Sequence, residues 1–172
     1  MDENECRRAN EALKDFNVLL NLLHKEDDRG KVMSLAAFFD EVLGRLISAF
    51  LRDTKSSEDI LEGFNAPLGT FSARIRAAHA LGLINDAEFA DCERLRKIRN
   101  AFAHSWLEVS LERDDIKSHI MSLSEPMRLA SYDPMSLSSR LLNSLAGTLI
   151  ALELLAVNVE RVKTQKSVFF FN

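Results

Sequence analysis

Between residues 96 and 104 the chain reads RKIRNAFAH. An arginine and a histidine in one short stretch can do phosphoryl chemistry: a guanidinium neutralises phosphate charge through its fork of donors, and an imidazole moves a proton near neutral pH. On a helix, Arg96, Asn100 and His104 recur every fourth residue and form one row. Leu95, Ile98, Phe102 and Trp106 form an apolar stripe, with His104 opposite it and Arg99 flanking it. Five residues place Arg99 and His104 about 140° apart around a helix, so a joint site needs another helix or a second subunit. Three readings follow. Arg99, Asn100 and His104 hydrogen-bond to neighbouring loops and helix ends; or Arg96, Arg99, Asn100 and His104 form a partner-binding surface; or Arg99 and His104 are a catalytic or RNA-contacting pair. The structural reading ranks first, because isolated pairs of this kind are weak signals.

Other chemistry is sparse. His24, His79 and His119 have no second His or Cys at a metal-binding interval, and neither cysteine, Cys6 or Cys92, lies in a zinc-type spacing. No metal or cofactor is expected. G-x-G-x-x-G, Walker A, G-x-S-x-G and H-E-x-x-H sequences are all absent, and so is the basic–aromatic alternation of an RNA-binding sheet. The chain reads as a non-enzyme. A formal charge of -4 argues against strong autonomous DNA binding, which needs a basic surface.

The elements that would position these residues are helical. The 172 residues suit one domain, and 47% hydrophobic with 28% charged residues suits a packed core. Six Gly and three Pro leave little room for the turns of an all-β fold. Apolar spacing predicts helices over about 3–25, 29–52, 56–62, 71–81, 86–106, 111–121 and 136–163. The second carries two apolar rows, Val32 to Ala49 and Met33 to Phe50, which makes it central, with Glu41 and Arg45 as an exposed i,i+4 pair. Thr70 or Ser72 caps the fourth, an Asn85/Glu88 capping box starts the fifth, and Ser110 caps the sixth. Leu142, Leu145, Leu149, Leu152, Ala156 and Val159 give the last helix a packing seam. Its run LLNSLAGTLIALELLAV falls short of the roughly 20 residues of a membrane span and contains Asn143, Ser144 and Glu153. It reads as a bundle helix, and the closing FFF as packing. With no signal peptide and free thiols, a cytoplasmic chain without a membrane contact is expected. The loop GFNAPLGTFS has the strongest local character: Gly63 and Gly69 permit positive φ, Pro67 fixes its own backbone, and Asn65 is expected to tie the turn through its side chain.

Two resemblances enter on these residues. ILEGFNAPLGTFSARIRAAHALGLINDAEFADCERLRKIRNAFAHSW, residues 60–106, with DRGKVMSLAAFFDEVLGRLISAFL, residues 28–51, resembles the mannitol operon repressor family, MtlR and its YggD-type relatives. Ala101 departs from the acidic residue that some members carry there. The resemblance implies an all-α single-domain bundle, cytoplasmic and bacterial, that represses mannitol-uptake genes. It implies no known DNA-reading helix. The expected partners are a second copy of the chain and a phosphotransferase-system component or transcription factor, with weak or indirect DNA association. More loosely, Arg99-Asn100-x-x-x-His104 has the R-x4-H form of HEPN domains. In some of these helical bundles the Arg and His cleave RNA across a dimer, and that defines the alternative reading of Arg99 and His104.

Overall fold

The computed structural model describes residue 14 and residues 16–105, 107, 109–127 and 132–169, with side chains described through Glu160 and at Val162. Cys6, Trp106, most of the first expected helix and the end of the FFF run lie outside these residues. Every regular element among the described residues is an α-helix, as the patterning predicts.

Residues 16–23 are helical (α1) and bury Phe16, Leu19 and Leu23. Helix α2, Asp28–Phe50, follows because Asp27 accepts the amide of Gly30 at 2.7 Å and Asp28 places negative charge in the first turn. Both expected apolar rows turn inward: Val32, Leu35, Ala36, Phe39, Val42, Leu43, Leu46 and Ile47 are buried. Each of the larger ones stabilises the fold by roughly 1.5–3 kcal/mol. The rows depart at their ends, with Met33 and Ala49 half-buried and Phe50 exposed.

Around α2 stand α3 (Lys55–Leu61), α4 (Phe71–Ala80), α5 (Asp86–Ala103) and α7 (Leu137–Phe169), and α6 (Asp114–Met121) bridges α5 and α7. Thr54 caps α3, and Thr70, not Ser72, caps α4. The Asn85/Glu88 capping box forms in full. Ser110 does not cap α6: it accepts the amide of Glu112 instead, and α6 starts after Arg113 with no side-chain cap. Repulsion between Asp114 and Asp115 in that first turn is offset by the helix dipole and by Arg113, which grips Asp115 at 2.6 and 2.8 Å.

The exposed Glu41–Arg45 pair is absent. Arg45 pairs with Glu153 of α7, a carboxylate only 5% exposed. Removing the partner of a buried carboxylate costs more than an exposed i,i+4 pair returns, so the long-range pairing wins. Helix α7 runs further than its apolar run suggested. Over Leu137–Glu160 it is long and apolar enough to cross a membrane by length and composition alone, and half of that window is buried inside the bundle. Leu141, Leu145, Leu149 and Leu152 face the core together with Asn143, Ser144 and Thr148.

The loop 62–70 is ordered by long-range bonds. The Leu68 amide donates to the Ile60 carbonyl at 2.7 Å, and Gly69 to Ala66 at 2.9 Å. Arg74, 17% exposed, then reaches back: Nε donates to the Leu68 carbonyl, Nη2 to the Leu61 carbonyl, and Nη1 to both the backbone and carboxylate oxygens of Asp40 on α2. Gly44 makes room for it, since a Cβ there would lie 3.1 Å from the guanidinium carbon. Two expectations for this loop are corrected. Asn65 is exposed and makes no side-chain hydrogen bond among the described residues; it holds a left-handed backbone with φ 61°. Asn tolerates that region better than any other non-glycine residue, because its short polar side chain suits local solvation and turns. Gly63 does take positive φ, but Gly69 does not. Glycine suits position 69 because a Cβ would press to 3.1 Å from the Ala66 carbonyl oxygen.

Arg74→Ala should destabilise by about 2–4 kcal/mol, since it removes bonds to three carbonyls and a carboxylate, whereas Lys55→Ala should stay within about 0.5 kcal/mol. Chemical denaturation of both checks the difference. In the same assay Asn65→Gly should be close to neutral and Asn65→Val should lose about 1–2 kcal/mol. A large loss in Asn65→Gly would restore the side-chain role.

Candidate functional site

The RKIRNAFAH residues occupy the last turns of α5. Leu95, Ile98 and Phe102 are fully buried and fix the rotation of the helix. Earlier on the same face Asp91 and Cys92 are buried too. Burial, reinforced by the charges of Asp91, Glu88 and Glu93, pushes the Cys92 thiol up to about 12. It stays protonated at physiological pH and is no nucleophile.

The helix stops earlier than the spacing implies: Ala103 is its last residue and His104 its C-cap, at φ -91° and ψ -1°. The cause lies on α2. Arg29 donates to the carbonyls of Phe102 at 2.7 Å, Ser105 at 3.0 Å and Leu107 at 3.2 Å. These are the orphan acceptors of a helix C-terminus and the chain beyond it, and a cation there also suits the dipole. The turn after α5 is therefore shaped by a residue 73 positions upstream.

Each candidate side chain has a definite place. Arg96 is clamped by Glu93 through two bonds of 3.1 and 2.8 Å, one turn back on the same helix. That hydrogen bonding holds the Glu93 carboxyl below the usual carboxylate range and raises Arg96 above its own. Arg99 is half-buried, and its Nη1 donates to the side-chain oxygen of Asn100 at 3.1 Å. His104 is exposed; its backbone amide donates to the Asn100 carbonyl at 3.1 Å, and its ring makes no hydrogen bond among the described residues. Arg99 and Asn100 are thus brought together, while His104 is linked to them by backbone only. Among the described residues no hydrogen bond joins Arg99 to His104, and no carboxylate orients the imidazole. One copy of the chain does not assemble the Arg/His pair.

The other histidines are engaged in structure. His79 stacks on Phe89 with ring centroids 4.3 Å apart and meets Asp86 at 2.9 Å. His119, on α6, is held below the ordinary histidine range by burial, then by Lys97 and Arg94, against an opposing pull from Asp115. Among the described residues no group of three His, Cys, Asp or Glu side chains could hold a metal ion.

Sequence reasoning missed Arg29, Arg74 and Asp91. Asp91, fully buried, accepts from Arg94 at 3.0 Å and from the Ser124 amide at 3.2 Å, and so anchors the segment after α6 to α5. For Arg74 a signal existed: Gly44 in the middle of a strong helix costs about 1 kcal/mol and implies a close approach. Arg29 carried none.

The depressed Glu93 carboxyl has a consequence for acid stability. A folded-state pKa below the unfolded one contributes stability that is complete above about pH 4.5 and lost as pH falls through the folded value. Glu93→Gln should therefore be less stable than the parent at pH 6, with the difference shrinking toward pH 3. Urea melts across that range measure it, and a constant difference would show that the pair contributes no pH dependence.

No family model matches the chain, and no curated protein matches it. Among solved structures, the chain is similar to MtlR in the X-ray structure of the MtlR–HPr complex from Escherichia coli, with 21% sequence identity and a TM-score of 0.52. The match covers 90% of this chain and 99% of that one. The protein has an MtlR-like all-α fold.

Proposed function

We propose that the protein is a transcriptional regulator of the mannitol operon repressor family, which acts by binding a phosphotransferase-system protein of the HPr kind. The observation that carries this reading is the MtlR-like fold across 90% of the chain, found in a structure where MtlR is complexed with HPr. The residues EGFNAPLGTFS and RKIRNAFAHS, on which the sequence resemblance rests, support it from a separate direction. On this reading the protein is cytoplasmic, forms a homodimer, represses a mannitol-uptake operon and touches DNA weakly or through a partner. It is not an enzyme. Arg96 is held by two bonds to Glu93 and Arg99 by one to Asn100, which on this reading makes them shape-holding groups at the end of α5.

Isothermal titration of the purified protein with purified HPr of the same organism tests the reading, with saturable one-site binding as the expected result and no heat as the result against it. Bare DNA should behave differently. With a formal charge of -4, binding to a mannitol promoter fragment should be salt-sensitive and little better than binding to random DNA. Tight, sequence-selective binding at physiological salt without a partner would contradict that. Nor should the protein cleave RNA. Cleavage lost by about 10²-fold or more in both Arg99→Ala and His104→Ala, with melting unchanged, would favour the ribonuclease reading instead.

A further inference from the structure

Phe64 is 97% exposed, more than any other large apolar side chain among the described residues. It does not sit on a slack segment. The loop that carries it is closed by the Leu68 and Gly69 amides and pinned to α2 and α3 through the four bonds of Arg74. Its two neighbours, Gly63 at φ 99° and Asn65 at φ 61°, both hold left-handed backbone. For a non-glycine residue that conformation costs about 1–2 kcal/mol, less for Asn. A buried ring of this size would return roughly 1.5–3 kcal/mol, and here it returns none within the chain. An ordered loop that holds an aromatic ring wholly in water offers that ring as a binding anchor.

Charge indicates what the ring enters. Glu58, Asp59 and Glu62 are all exposed beside the loop. Lys55 is taken by Asp59 at 3.0 Å and Glu58 at 3.4 Å. Glu62 has no cationic partner among the described residues, and it stands two positions from Phe64. The open side of Gly63, where a Cβ would meet nothing within 4 Å, leaves the approach clear.

We propose that the tip of the 62–66 loop docks the phosphotransferase-system protein of the HPr kind named above, with Phe64 entering an apolar pocket on it and Glu62 meeting a basic group at the pocket's rim. This rests on the regulator reading above and names the surface through which it works.

The test is titration of purified HPr into the full chain and into Phe64→Ala, Glu62→Lys and Met135→Ala, alongside melting curves and sedimentation. Met135 is the control for general stickiness, being 90% exposed in a different loop. Phe64→Ala should weaken HPr binding about 30-fold or more, as loss of an interface anchor does. Glu62→Lys should weaken it about 3- to 10-fold and flatten its salt dependence. Met135→Ala should bind as the parent does, and all three should melt with the parent because none of these side chains packs. If the parent binds HPr and Phe64→Ala binds within about threefold of it, the docking proposal fails while the regulator reading stands. Equal weakening by Met135→Ala also overturns the proposal. So does a parent dimer that Phe64→Ala converts to a monomer, since the occupant is then a second copy. If the parent does not bind HPr at all, reading and proposal fall together.

Discussion

The burial of α2 on nearly all sides is the constraint from which the rest follows. Eight of its side chains lie in the core, so α4, α5 and α7 must each present an apolar face to it. A helix enclosed in this way leaves only its ends and a narrow strip for polar work. Arg29 works at the N-terminal end, Asp40 and Gly44 receive Arg74 on the strip, and Arg45 serves Glu153 across it. Three arginine contacts thus connect the central helix to the turn after α5, to the 62–70 loop and to α7. The part-buried Phe102, Ser105, Leu61 and Leu68 carbonyls that Arg29 and Arg74 bond would lose those partners without them, at about 1–3 kcal/mol each.

What was legible in the sequence was local. Thr70 and the Asn85/Glu88 box act over three residues, so their roles could be read from spacing. The apolar rows of α2 and the Leu95/Ile98/Phe102 stripe were legible for the same reason: helical period alone sets which face they share. The corrections come from distant partners. Arg29 meets Phe102 across 73 positions and Arg45 meets Glu153 across 108, distances over which spacing carries no information. The end of α5 at Ala103 depends on Arg29, so a helical wheel drawn through residue 106 overran it. Ser110 and Asn65 misled in another way. Each is a residue type that often bonds locally, and here the backbone conformation decided its use.

The candidate site divides along the same line. RKIRNAFAH drew attention because Arg and His are reactive types, but the fold spends Arg96 on Glu93, Arg99 on Asn100 and the helix end on Arg29. The loop around Phe64 was noted only for its turn residues. Its aromatic ring gave no signal in the sequence, because exposure is a property of the folded chain. In the stretch rich in chemistry Arg96 and Arg99 bond within α5, and in the loop an apolar residue is the group left facing outward. On the proposed regulator reading, that distribution suits action through a protein contact.

The most direct measurement is amide hydrogen exchange of the full chain with and without HPr. Alone, the Gly63, Phe64 and Asn65 amides, which lack hydrogen bonds among the described residues, should exchange rapidly while the amides of α5 are protected. With HPr bound, slowing concentrated at residues 62–66, with residues 96–105 unchanged, is the predicted result. Protection that appears at residues 96–105 and leaves the Phe64 loop as it was would contradict the account.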